Sequence, residues 1–193
     1  MATAIRLKFV SSSDTISPMD SHYHQVMKAR EAVTETKPKL YFAYSTILDR
    51  DAFEEWRNEH SYQFFDLPKG RIAEATDTDL TFDFLSRWWS GRVAGLVNRK
   101  GSSVFGVLFE IPAKDWPVVQ HKEGFITNMC VERPIQVQVD GQTLTAIAFT
   151  TNPQRATNQG NISKDFLAAL VQGAEKSGLP KAYVDRLRTL KSE

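Results

Sequence analysis

Glu123 stands in the run Val118-Val119-Gln120-His121-Lys122-Glu123-Gly124-Phe125-Ile126, directly before a glycine and between two apolar pairs. A carboxyl group in such surroundings is a candidate for acid–base work. Desolvation lifts its pKa toward neutrality, so one group can both accept a proton and return it. Taken alone, a glutamate here is more often a solvated residue at a helix end. A second stretch bears on the choice. Tyr41-Phe42-Ala43-Tyr44 begins as a buried strand should, then breaks at Ser45 and Thr46 before Ile47, Leu48 and a charged segment. A strand that ends in small hydroxyl residues and runs into a helix often presents its backbone to a ligand.

Other chemistries find little support. His22 and His24 lie in a polar stretch and read as solvated surface, and His60 and His121 lack Asp, Glu or His neighbours at recognised metal spacing, so no metal is implied. Cys130 is the only cysteine, which excludes an intrachain disulfide and a Cys-based zinc site. No base lies close to it in the sequence, so it reads as a small structural residue. Neither a nucleophile elbow nor a P-loop nor a dinucleotide fingerprint is present, and no cofactor is called for. Arg87-Trp88-Trp89-Ser90-Gly91-Arg92 is a single aromatic–basic cluster in a chain of net charge +1. Core or rim aromatics explain it better than a nucleic-acid platform.

These residues have to be positioned by one domain, since 193 residues suffice for one full core and are short for two. The longest apolar runs, such as Val104 to Phe109, fall far below the roughly 20 residues of a membrane helix. Arg6 and Lys8 interrupt the first apolar segment, leaving nothing of secretory-signal length, so a cytoplasmic location is expected. Residues 1–38 read as an extension, with a short strand from Ile5 to Val10 and a polar helix from Pro18 that ends before Lys37-Pro38. Residues 39–193 form the domain. Its first strand is Tyr41 to Tyr44, followed by a helix over 49–65 capped by Asp49 or Asp51, with Glu54 and Glu55 in its first turn and Phe53 and Trp56 on a shared face.

From Gly70 to Phe149 the period is two, with separate strands in Arg92 to Asn98 and Ser103 to Pro112 and a hairpin turning at Asp140-Gly141. A short helix between them ends near Gly124. Ser163 caps a tail helix with a stripe of Phe166, Leu167, Leu170, Val171 and Ala174, and Tyr183, Leu187 and Leu190 make a second stripe after Gly178 and Pro180. A homodimer and packing within the monomer explain these stripes equally well. Strands framed by helices without βαβ alternation give an α+β fold, a mixed and mostly antiparallel barrel-like sheet flanked by helices.

Four pieces of the chain, in order, resemble the gamma-glutamylcyclotransferase family. They are Tyr41 to Leu48, Val104 to Ile111, His121 to Phe125 and Ser177 to Leu190, and the resemblance spans about residues 39–190. It implies a barrel-like fold of that type and an intramolecular reaction. The α-amine of a γ-glutamyl group attacks its own side-chain amide, closes a five-membered lactam and expels an amino acid, peptide or amine. Glu123 matches the catalytic glutamate, and Tyr44, Ser45, Thr46, Ile47 and Leu48 match the turn that binds the glutamyl carboxylate through backbone N–H groups. The implied partner is a small γ-glutamyl compound, with neither nucleic acid nor membrane. Three positions depart from the pattern: Ser45 replaces the usual glycine, and Cys130 and Ala148 stand where relatives place tyrosines. A γ-glutamyl-amine cyclotransferase, a biosynthetic deprotecting enzyme and a binding protein without turnover are therefore the alternatives.

Overall fold

A computed structural model describes residues 18–192, with side-chain environments from residue 21 onward. The strand expected at Ile5 to Val10 lies outside the described residues. Five strands close a barrel: β1 (Lys39–Ala43), β2 (Arg71–Ser86), β3 (Gly91–Ile111), β4 (Cys130–Val139) and β5 (Gln142–Thr151), in the spatial order β1-β3-β2-β4-β5. All pairings are antiparallel except β1 with β5, which run parallel and meet at Tyr41 and Ile147. The sequence reading of a mixed, mostly antiparallel barrel-like sheet is therefore what forms.

Alternation drives the closure. Ile135, Val137 and Val139 on β4 are buried while Gln136 and Gln138 face outward, so one face of the hairpin supplies core. Asp140 and Gly141 both have positive φ (50° and 77°), the geometry of a tight two-residue hairpin turn. The two strands expected at 92–98 and 103–112 are one long strand, because β2 stays paired with β3 along both. A register shift between Thr76 and Thr78 absorbs the irregular residues opposite, and Asp77 and Gly101 take positive φ there.

Helices cover the barrel: α1 (Pro18–Ala32), α2 (Arg50–Glu59), α3 (Trp116–Lys122), α4 (Lys164–Lys176) and α5 (Lys181–Arg188). Asp49 caps α2 by accepting from the Asp51 N–H at 3.2 Å, and Asp51, rather than Glu54 or Glu55, is the acidic residue of its first turn. α2 stops at Glu59, six residues before the expected end, and Ser61 adopts φ 62°. The break lets Tyr62 and Phe65 turn inward to full burial, with the Tyr62 N–H donating to the Arg57 carbonyl at 2.7 Å. α1 is amphipathic only locally, through Val26, which is buried. It is anchored by Arg30 to Asp115 at 2.6 Å and by the Tyr23 ring stacked on Tyr62. The stripes on α4 and α5 are covered by the chain itself: Phe166, Leu170, Ala174, Tyr183 and Leu187 are all buried.

β1 lies unusually close to β3. A Cβ on Gly106 would sit 2.2 Å from the Ala43 carbonyl oxygen and within 3.0 Å of the Phe42 ring, so only a glycine permits this approach. Gly106→Ala is expected to cost about 1–3 kcal/mol, the usual penalty of overpacking, read as a lowered midpoint in urea denaturation.

Candidate functional site

Glu123 is the C-cap of α3, and its position is set by how that helix ends. Gly124 has φ 76°; its N–H donates to the His121 carbonyl at 3.0 Å, and the Phe125 N–H reaches back to the Gln120 carbonyl at 2.9 Å. This pair of bonds is the Schellman arrangement that glycine favours. A side chain on Gly124 would press on Met129 at 3.0 Å. The far wall of α3 is tied to β4, where the Glu132 carboxylate accepts from the Trp116 indole N–H (2.8 Å) and the Gln120 amide (2.7 Å).

From this cap the Glu123 carboxyl receives the Tyr41 hydroxyl at 2.8 Å. Tyr41 is fully buried, with its ring among Phe109, Trp116 and Phe149. Desolvation raises the Glu123 pKa above its ordinary value, against the opposing pull of the Tyr41 hydrogen bond and the Lys122 ammonium. Burial also pushes Tyr41 well above the phenol range, with the Glu123 charge adding to it. Tyr41 therefore stays a donor, and the carboxyl is held in one orientation.

Glu123 lines a cavity of about 570 Å³. Ser45 and Thr46 line it too, which brings together the two stretches singled out in the sequence. After Ser45 the chain makes a 3₁₀ turn, Thr46–Leu48, closed by the Leu48 N–H to the Ser45 carbonyl at 3.0 Å. The Thr46 and Ile47 amides precede that bond and are not consumed by it. The Leu48 amide is consumed, and the side chains of Ile47 and Leu48 are buried outside the cavity lining. Tyr44 is buried as well, its hydroxyl donating to the Phe149 carbonyl at 2.6 Å, so it fastens β1 to β5 instead of facing the cavity. Ser45 sits at φ −124°, extended backbone that any residue adopts, so its replacement of glycine strains nothing.

Cys130 is on the cavity wall, with burial pushing its thiol up to about 12, which keeps it protonated and unreactive. Ala148 is fully buried and does not line the cavity. Trp56, His60, Trp88, Trp89 and Lys122 complete much of the wall. Trp88 is exposed at the cavity and Trp89 is half-buried on its wall. Tyr41 was legible only as a strand aromatic, because nothing local marks a strand tyrosine whose hydroxyl meets a residue 82 positions later.

Three histidines do gather. His121 has His22 and His60 at 5.3 Å between ring centroids, and its Nδ1 is 2.8 Å from the Tyr62 hydroxyl. His22 is thus half-buried against α3 instead of fully solvated. Among the described residues no group of three His, Cys, Asp or Glu is arranged to hold a metal. Desolvation, then His60, His22 and Lys122, lower His121 to about 4.

Comparison with known proteins follows the same lines. Residues 103–187 match the model of the AIG2-like family. A gamma-glutamylcyclotransferase from Bos taurus is 26% identical over 157 residues, covering 78% of each chain. Both matches support a likeness of this chain to the gamma-glutamylcyclotransferase family. Among solved structures, a gamma-glutamyl cyclotransferase superposes with a TM-score of 0.66 at 20% identity, over 82% of this chain and 90% of the other. An uncharacterized protein from Homo sapiens gives 0.68 at 22% identity, over 81% and 90%. These likenesses establish a shared fold. No helix among the described residues is long and apolar enough to cross a membrane.

The histidine cluster gives a pH dependence of known sign. An unfolded His takes up its proton near 6.5 and the folded His121 near 4, so the unfolded state binds more protons between these values. Stability is full above pH 6.5 and falls as pH drops toward 4. Denaturation midpoints measured across this window are expected to decline, and to decline less steeply in His121→Gln.

Proposed function

We propose that the protein is a γ-glutamyl cyclotransferase that converts a γ-glutamyl amide to 5-oxoproline and a free amine, with Glu123 as its acid–base catalyst. The observation that carries this reading is the desolvated Glu123 carboxyl, fixed by Tyr41 at 2.8 Å, in the same cavity as the Ser45–Thr46 turn.

The chemistry needs little else. An α-amino group has a reference pKa near 8, so a minor neutral fraction is present at neutral pH, and this is the form that attacks. Nucleophile and carbonyl belong to one molecule, and the protein's task is to hold the chain of the glutamyl group in a ring-closing conformation. As the ring C–N bond forms, the attacking nitrogen gives up a proton to the Glu123 carboxylate. As the amide C–N bond breaks, the departing nitrogen takes that proton back. No water, metal or redox partner enters the balance. A carboxyl with an ordinary pKa would return the proton poorly at neutral pH, which is why its desolvation matters.

The Thr46 and Ile47 amides, with the Ser45 and Thr46 hydroxyls, are suited to the glutamyl carboxylate; Tyr44, Ile47 and Leu48 contribute by fixing the backbone of the turn. The extended φ of Ser45 shows no backbone strain where relatives place glycine, which supports a working turn. Cys130, in place of a tyrosine hydroxyl, points instead to an altered leaving-group side.

Glu123→Gln is expected to lower 5-oxoproline release by about 10²–10⁴-fold, the usual worth of a general acid–base group. Its thermal midpoint at pH 8 should hold or rise, since a costly buried charge is gone; near wild-type turnover would remove Glu123 from the mechanism. In Tyr41→Phe the hydrogen bond that lowers the Glu123 pKa is lost. The acid limb of its kcat/KM profile should then move to higher pH, with the limb unmoved if Tyr41 is merely core.

A further inference from the structure

Beyond the Ser45–Thr46 turn and Glu123, the cavity has walls that the cyclisation itself does not require. Trp88 and Trp89 occupy the turn between β2 and β3, and both line the cavity together with Phe84, Val93, Met129 and Phe166. Trp89 is braced: Phe166 meets its ring edge-on at 5.5 Å, and the Trp89 N–H donates to the Ser86 hydroxyl at 3.3 Å. Trp88 is 84% exposed. An indole left in water at the mouth of a cavity forgoes a large burial gain and marks a contact made only when something is bound.

A second cavity of about 270 Å³ shares Thr46, Trp56, Glu59, Trp88, Trp89 and Lys122 with the first, so the tryptophans divide two lobes of one cleft. The charges in the cleft are unevenly spread. Among the described residues lining both lobes, Lys122 is the only lysine or arginine, and its Nζ lies 5.0 Å from the centre of the Trp56 ring. Glu55, Glu59 and Glu123 stand on the walls beside it. A strongly acidic leaving group finds few partners there, and a planar apolar one finds ring faces and edges on several sides.

We propose that the expelled amine carries an aromatic ring, seated against Trp88 and Trp89, so that the preferred substrates are γ-glutamyl conjugates of aromatic amines or aromatic amino acids. This inference rests on the cyclotransferase reading. The combined cleft is of the size that holds a small organic ligand, roughly 300–1,000 Å³, and accommodates the glutamyl group and a ring together.

The test compares kcat/KM for γ-glutamyl-phenylalanine, γ-glutamyl-phenethylamide, γ-glutamyl-alanine and glutathione, following 5-oxoproline. Both aromatic compounds should exceed γ-glutamyl-alanine and glutathione by about tenfold or more, the order that side-chain discrimination in an apolar pocket reaches. Preference for phenethylamide over phenylalanine would identify an amine, and the reverse an amino acid. In Trp88→Ala, which alters an exposed side chain, the aromatic-to-alanine ratio should fall several-fold. Equal or inverted ratios in the wild-type protein, or a ratio untouched by Trp88→Ala, would overturn the inference while leaving cyclisation intact. Release of 5-oxoproline from none of the four would instead overturn the reading beneath it. Calorimetric affinities of wild-type protein for γ-glutamyl-phenylalanine and γ-glutamyl-alanine then still decide the ring preference, with equal affinities counting against it.

Discussion

The contact on which the site depends is the hydrogen bond from the Tyr41 hydroxyl to the Glu123 carboxyl at 2.8 Å. It exists only because the barrel closes. Tyr41 is the β1 residue that meets β5 in the parallel pairing, and Glu123 sits on the cap of a helix inserted between β3 and β4. Two glycines make their approach possible: Gly106 lets β1 settle against β3, and Gly124 ends α3 with its last side chain turned inward. The outcome is a carboxyl partly withdrawn from water and restrained by a neutral donor. Desolvation is the larger effect and the hydrogen bond the smaller, so the group keeps a raised pKa without losing its orientation.

Much of the architecture around that contact is consistent with the same constraint. Glu132 fastens α3 to β4, Tyr44 fastens the end of β1 to β5, and the Ser177 hydroxyl donates to the Leu48 carbonyl at 3.1 Å, holding the turn from the side of α4. The Gly178-Leu179-Pro180 motif repeats the device seen at Gly124. The Gly178 and Leu179 N–H groups bond back into α4, and Tyr183 packs on Phe105 away from the cavity. That motif serves the fold rather than the chemistry.

The sequence disclosed the strands best where alternation is strict, as at Ile135, Val137 and Val139, and the caps where residue type is decisive, as at Asp49, Ser163 and Gly124. It misplaced the end of α2, because Tyr62 and Phe65 continue the helical pattern in composition while tertiary burial draws them out of it. It divided β3 in two, since the polar run around Asn98 to Gly101 looks like a loop unless its partner strand is known. At the site, Glu123, Ser45 and Thr46 were visible through local context. Tyr41, Lys122 and the tryptophan wall were not, because their meaning lies in contacts between distant segments; His22, His60 and His121 escaped for the same reason, being 38 or more residues apart with no shared spacing. Tyr44, Ile47 and Leu48 entered by their place in the motif; their side chains are buried outside the cavity lining, and the Ile47 amide is not used by the turn's own hydrogen bond.

The proposed chemistry depends on the protonation of one side chain. Carbon-13 NMR titration of the Glu123 carboxyl, assigned by the signal missing from Glu123→Gln, measures it directly. A midpoint clearly above the ordinary 4.5 is expected, in a protein that remains folded across the titration. A midpoint at or below that value would mean the carboxyl is solvated or dominated by its donors, and that it has no capacity to return a proton to a leaving nitrogen near neutral pH.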